Sequence, residues 1–244
     1  MSDVKNKKRI CTGIQKLDRL FGGFPLGKTI LVTGAPGSGK TIFGLQFANA
    51  CCREGLKTVH LATEEGPEDL EAQAMSFGWD FAKHIKNGAF KIIALSTKRT
   101  DEIEAAVSIN ISPLKGNFDD LMRVIPEGTE VLVIDSLGSH SLGLSTREFK
   151  DRLDLLVQNL NKRKITTMLI LDSATSDRFN NLALFSVYGA IIVSKRENPY
   201  TGYRERVMDI VKMRNTDTPI QLLTFVITKE GIVINETDAD FKKI

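Results

Sequence analysis

Cysteine is scarce in this chain: Cys11 and the adjacent pair Cys51-Cys52 are the only three in 244 residues. That number and spacing exclude a disulfide framework and offer no CxxC pair for zinc or redox chemistry, so reduced, partly buried thiols are expected. Histidine is equally sparse, and His60, His84 and His140 share no ligand spacing, which argues against a structural zinc. No apolar run is long enough to cross a bilayer, and the opening Met1-Ser2-Asp3-Val4-Lys5-Asn6-Lys7-Lys8-Arg9 is polar and basic with no apolar stretch behind it. A cytoplasmic protein with no membrane partner is expected. Neither sign of charge dominates. Lysines and arginines number 33 against 30 acids, giving +3, too even for a dedicated polyanion binder although it permits nucleic acid.

What the sequence does contain is an ordered alternation. Its length suits one α/β domain, read as residues 9–240 behind a basic tail at 1–8. Short apolar, β-branched runs alternate with helical patterns, the mark of a largely parallel sheet with helices on both faces. Strands are predicted at Thr29–Thr33, Thr58–Thr63, Phe90–Leu95, Glu130–Asp135, Thr166–Leu171 and Gly189–Ser194. Helical spacing follows Thr41 as far as Gly55, and again from Pro67 to Gly78. A third helix begins at Ser145, where Glu148 completes capping-box spacing and Phe149, Leu153, Leu156, Val157 and Leu160 form a buried stripe. From about Lys195 the pattern turns to alternating strands at Arg204–Met213, Ile220–Thr228 and Ile232–Ile234, an antiparallel C-terminal edge. The stretch Thr97–Glu127 is weakly periodic and takes no clear assignment.

The first predicted strand runs directly into Gly34-Ala35-Pro36-Gly37-Ser38-Gly39-Lys40-Thr41, and a helix follows. Strand, glycine-rich loop and helix in that order make a P-loop, which binds a nucleoside triphosphate. The glycines let successive backbone N–H groups turn inward onto phosphate oxygens, with the partial positive charge of the helix N-terminus behind them. Lys40 would reach the β- and γ-phosphates, and the Thr41 hydroxyl would ligate Mg²⁺. A carboxylate for the magnesium shell is expected from Asp135, which ends Val131-Leu132-Val133-Ile134; alone, such an aspartate would equally cap a turn. Hydrolysis also needs a group that activates water. Glu64 and Glu65 end the strand after the P-loop helix and are candidates, while the alternative is that they favour the N-terminus of the helix beginning near Pro67. Lys212-Met213-Arg214 closes a strand far from the P-loop in sequence, and reads either as a solvated strand end or as cations reaching another subunit's phosphates.

Three stretches together resemble the RecA superfamily, and within it the KaiC-like branch near the archaeal RadA-like paralogues. They are Thr12-Gly13-Ile14-Gln15-Lys16-Leu17-Asp18 with Phe21-Gly22-Gly23-Phe24-Pro25-Leu26-Gly27, then Thr63-Glu64-Glu65-Gly66-Pro67-Glu68-Asp69-Leu70 with Ser76-Phe77-Gly78-Trp79-Asp80, and finally Asp209-Ile210-Val211-Lys212-Met213-Arg214. The resemblance implies a RecA-like fold, ATP and Mg²⁺ as cofactors, Glu64 as general base with Glu65 beside it, and Lys212 and Arg214 acting in trans on a neighbour's ATP. Such a site completes itself only in a ring or filament, with a hexamer expected. The chain departs from the family where a histidine commonly follows the last motif, since it continues Asn215-Thr216-Asp217-Thr218. After Thr166–Leu171, where the recombinase branch often has a glutamine, it has Asp172, Ser173 and Thr175.

The expected function is an oligomeric Mg²⁺-dependent ATPase, acting in DNA recombination or repair or in its regulation. In the family the DNA-facing loops correspond to Ser136–Lys150 and Ser173–Val187, which supply only Arg147, Lys150 and Arg178 as cations and an aromatic patch at Phe179 and Phe185. That is thin for a groove that tracks phosphates, so charge and loops permit single-stranded DNA as a partner without requiring it. The alternative is an ATP-regulated signalling or assembly module with little hydrolysis and no DNA binding.

Overall fold

A computed structural model describes residues 9–95, 118–172 and 177–235. Lys5, Lys7, Lys8 and residues 97–117 of the unassigned stretch lie outside the described residues. In chain order the elements are β1 (Arg9–Ile10), α1 (Gln15–Phe21), β2 (Phe24–Pro25), β3 (Thr29–Gly34), α2 (Lys40–Arg53), β4 (Thr58–Ala62), α3 (Pro67–Ser76), α4 (Phe81–Lys86) and β5 (Phe90–Ala94). There follow α5 (Asp119–Val124), β6 (Val131–Asp135), α6 (Gly138–Ser141), α7 (Thr146–Lys162), β7 (Thr166–Asp172), α8 (Asp177–Ser186), β8 (Gly189–Glu197), β9 (Arg204–Met213), β10 (Leu223–Thr228) and β11 (Gly231–Ile234).

The main sheet has nine strands in the order β11-β10-β9-β8-β3-β7-β6-β4-β5. Strands β8 to β5 in that order run parallel, and β9, β10 and β11 continue the sheet antiparallel, as the alternating C-terminal pattern predicts. Because β3 is central, both its faces are covered and all six residues are buried, which is why it reads as a continuous apolar run. One face of the sheet packs Phe43, Phe47 and Ala48 of α2 with Leu17 and Phe24; the other packs Phe149, Leu153, Leu156 and Leu160 of α7 with Ala183 of α8. The α7 stripe is the one its sequence spacing predicts, and the capping box forms: Glu148 N–H donates to Ser145 Oγ at 3.3 Å while Ser145 N–H donates to Glu148 Oε2 at 2.9 Å. Such a cap contributes about 1 kcal/mol.

Several elements differ from the expectation. Strand β10 starts at Leu223, not Ile220, because Pro219 has no N–H for the ladder and Ile220 projects fully into solvent. Helix α8 occupies most of the segment read as a loop at Ser173–Val187, and α1 and α4 are too short for periodicity to reveal. Among the described residues no helix is long and apolar enough to cross a membrane.

The buried amide of Gln46 joins distant parts of the chain. Its Nε2 donates to Gly13 O at 2.8 Å and to Ile232 O at 3.2 Å, and its Oε1 accepts from Ile232 N–H at 2.7 Å. Helix α2 is thus fastened to the C-terminal hairpin, which brings Phe225 and Ile227 of β10 over the loop that precedes α2.

Candidate nucleotide site

Strand β3 delivers the P-loop at the C-terminal end of the sheet. A Cβ at Gly34 would stand 1.9 Å from the Val193 carbonyl oxygen of β8, so only glycine lets the strand pass there. Gly39 takes φ +109° as α2 begins, a left-handed conformation that other residues rarely adopt. Lys40 folds back over its own loop, donating to Gly34 O at 2.9 Å and Ala35 O at 3.0 Å. Asp172, the last residue of β7, is its ion-pair partner at 3.4 Å. The Ser38 hydroxyl is buried without a hydrogen-bond partner.

The carboxylates arrive through strand register. Pairing of Ala62 with Asp135 brings the ends of β4 and β6 side by side, so residues 63–65 flank Asp135. Thr63 Oγ1 donates to Ser136 O at 2.8 Å and accepts from Ser136 N–H at 2.9 Å, locking the two strand ends together. Ser136 Oγ donates to Glu64 Oε1 at 2.9 Å. Burial pushes the Asp135 carboxyl up to about 6; a hydrogen bond from the Thr41 hydroxyl pulls the other way, and Glu65 and Glu64 push it up further. Glu65 is also raised, first by burial and then by Asp69 and Glu64. Beside these groups lies a cleft of about 260 Å³ whose walls include Gly37, Lys40, Thr41, Glu65, Gln73 and Arg206.

The residues present fit magnesium-bound ATP. The Thr41 hydroxyl and the Asp135 carboxylate are adjacent hard oxygen donors, the ligand type magnesium prefers, and the buried, unpartnered Ser38 hydroxyl lies within the loop that would cradle phosphate. Among the described residues no cluster of three His, Cys, Asp or Glu could hold a metal. A cation would also relieve the proximity of Asp135 to Glu64 and Glu65.

Lys212 and Arg214 stand elsewhere. Lys212 pairs with Ala190, which pairs with Leu31 of β3, and Arg214 N–H donates to Tyr188 O at 3.2 Å. That register puts them two strands from β3, with Lys212 about 10 Å short of its P-loop end and Arg214 further still, so they do not join Lys40 within one subunit. Burial lowers the Lys212 pKa, and Arg214 beside it lowers it further. The cations near this chain's own P-loop are ones the sequence reading missed. Lys195 Nζ lies 3.1 Å from where a Gly37 Cβ would be, and its cross-strand partner Arg206 lines the cleft with a buried, unpartnered Nε. Gln73 of α3 brings a buried, unpartnered Oε1 to the same cleft. Only the hairpin register could have singled out Lys195 and Arg206 from other strand cations.

One expectation about polyanion contacts changes. Arg9, at the start of the domain, is fastened to Gly23 O at 2.9 Å and to the Thr216 hydroxyl. Phe179 stacks on Phe149 at 4.2 Å between ring centres, so it packs against the core, whereas Phe185 remains exposed. Residues 173–176 lie outside the described residues.

A sequence profile described as "ATPase: KaiC" matches residues 10–239. The chain is 27% identical over 241 residues to the circadian clock protein KaiC2 of Synechocystis, covering 95% of this chain and 40% of that protein. It is 28% identical over 233 residues to a UPF0273 protein of Aeropyrum pernix, covering 93% of each. The chain thus spans less than half of the clock protein and nearly all of the shorter relative. Among solved structures, a KaiC-like protein of the hyperthermophilic archaeon Pyrococcus horikoshii superposes with a TM-score of 0.73 at 30% identity, covering 93% of this chain and 99% of that one.

Proposed function

This chain belongs to the KaiC family of ATPases, and on that footing we propose that it binds ATP with Mg²⁺ at the P-loop and hydrolyses it as a self-assembled ring or filament. Nucleotide binding comes with the family; hydrolysis, the metal and the assembly are the proposal. The observation that supports it is the convergence of Lys40, Thr41, Asp135, Glu64 and Glu65 at the C-terminal end of the parallel strands, while Lys212 and Arg214 lie two strands from β3 and short of that end. The bound metal would neutralise charge on the β- and γ-phosphates. Lys40 would leave its loop carbonyls and Asp172 for those phosphates, Thr41 and Asp135 would hold the metal, and Glu64, oriented by Ser136, would take a proton from the attacking water. Lys212 and Arg214 would stabilise charge on a neighbour's γ-phosphate.

Exposed Ile220, Val226 and Val233 on the antiparallel edge supply apolar surface for association. A role in DNA recombination or repair draws less support: Arg9 and Phe179 are engaged within the fold, and Arg147 and Lys150 pair with Asp151 and Asp154 on their own helix. An ATP-hydrolysing assembly that needs no nucleic acid is therefore favoured over a recombination or repair machine. Steady-state ATP hydrolysis with Mg²⁺, with and without single-stranded DNA and with Lys40→Ala as the control, tests the reading. Turnover lost in Lys40→Ala and indifferent to DNA is expected; absent turnover would leave an ATP sensor, and DNA-stimulated turnover would favour the recombination role.

A further inference from the structure

His60 has no part in the site as described so far. It lies in β4, fully buried, and neither ring nitrogen has a hydrogen-bond partner. Leaving such groups unpaired in a dry core is destabilising, and a leucine or phenylalanine would keep the strand pattern without that cost. Burial pushes the imidazole down to about 4, so at neutral pH it offers one N–H and one lone pair.

The ring borders a cavity of about 30 Å³ whose other walls are Thr41, Glu64, Glu65, Leu70 and Asp135. A space above about 10–15 Å³ admits a water, which also needs two to four polar partners. Those walls provide a hydroxyl and three carboxylates besides the imidazole. Register fixes the relationship: His60 pairs with Val133 and Ala62 with Asp135, so the imidazole lies two residues beneath Asp135 on the same face of the sheet. That face carries α2, since a Cβ at Gly44 would touch both Val133 Cγ1 and His60 Cε1.

We propose that this cavity holds an ordered water joining the His60 imidazole to the Asp135 carboxylate, which makes His60 a positioning residue for the magnesium site. The inference rests on the reading of Asp135 as a metal ligand. The water donates one proton to the carboxylate and completes its bonds with the imidazole, so Asp135 is oriented from below by His60 and from the side by Thr41. Polar groups behind a metal ligand of this kind fix its direction and tune its affinity.

The test compares wild type with His60→Phe, His60→Leu and His60→Gln. Mn²⁺, a paramagnetic stand-in for magnesium, is titrated into each protein–ATP complex by electron paramagnetic resonance, alongside thermal midpoints and metal-free ATP binding. The apolar variants are expected to keep or raise the midpoint, to bind metal-free ATP as wild type does, and to bind Mn²⁺ about tenfold more weakly. His60→Gln, which restores a donor and an acceptor, recovers most of the loss. Apolar variants with wild-type Mn²⁺ affinity would overturn the inference while leaving the magnesium reading intact. Wild-type protein that binds ATP but no Mn²⁺ would sink both. Should neither apolar variant fold, nitrogen NMR of the wild-type ring decides: a nitrogen hydrogen-bonded to water supports the proposal, and two unbonded nitrogens contradict it.

Discussion

Ser136 Oγ donates a hydrogen bond to Glu64 Oε1 at 2.9 Å, tying the end of β6 to the end of β4 beside Thr41. The contact orients the first of two adjacent acids and leaves Glu65 to line the nucleotide cleft. Glu64→Gln should therefore retain ATP binding and lose about 10²–10⁴-fold in turnover, the scale of a general base. Glu65→Gln should lose less. Single-turnover hydrolysis of bound ATP distinguishes them, and the reverse ranking would move the base to Glu65.

Lys40 and Asp172 form an ion pair that bound phosphate must displace. Lys40→Ala is expected to abolish ATP binding by calorimetry; retained micromolar binding would refute the P-loop assignment. Asp172→Asn removes the competing carboxylate and should tighten ATP binding about threefold, the scale of a partly exposed ion pair.

Acid should destabilise this protein through His60. Its folded pKa of about 4 lies below the ordinary 6.5, so the unfolded chain takes up a proton first as pH falls. The contribution is fully present above pH 6.5 and is lost on descending towards pH 4, on the order of 3 kcal/mol in total. The raised Asp135 acts oppositely: its contribution is present in acid and lost as pH rises through about 6. Urea unfolding of wild type and His60→Leu across that range reads the histidine together with its effect on Asp135, and the two act in one direction, since a buried carboxylate deprived of a hydrogen bond is raised further. The variant should lose less stability in acid; parallel curves would contradict the assignment.

Most of the fold is legible in the sequence because its strands are buried on both faces and its loop glycines have no substitutes. Thr29–Gly34 reads as an unbroken apolar run for that reason, and the α7 stripe has enough turns to show its period. The candidate site is legible where residue type and strand ends coincide, since Lys40, Thr41, Asp135 and the Glu64-Glu65 pair, singled out by sequence, lie together in the fold. It is not legible where register alone decides. Lys195 and Arg206 look like any strand cations until β8 and β9 pair across the P-loop edge, and Gln46 looks like a helix surface residue until the last hairpin docks on it. His60 fits the strand pattern in every respect but its polarity.

The central claim is that ATP is hydrolysed between subunits, and mixing two inactive variants tests it most directly. Lys40→Ala has no working P-loop but keeps Lys212 and Arg214; the double variant Lys212→Ala, Arg214→Ala has the converse. Each alone should be inactive, and an equimolar mixture should regain about a quarter of wild-type turnover, since about a quarter of random interfaces join the two intact halves. A double variant that hydrolyses ATP at the wild-type rate, or a co-assembled mixture that regains nothing, would contradict a shared site.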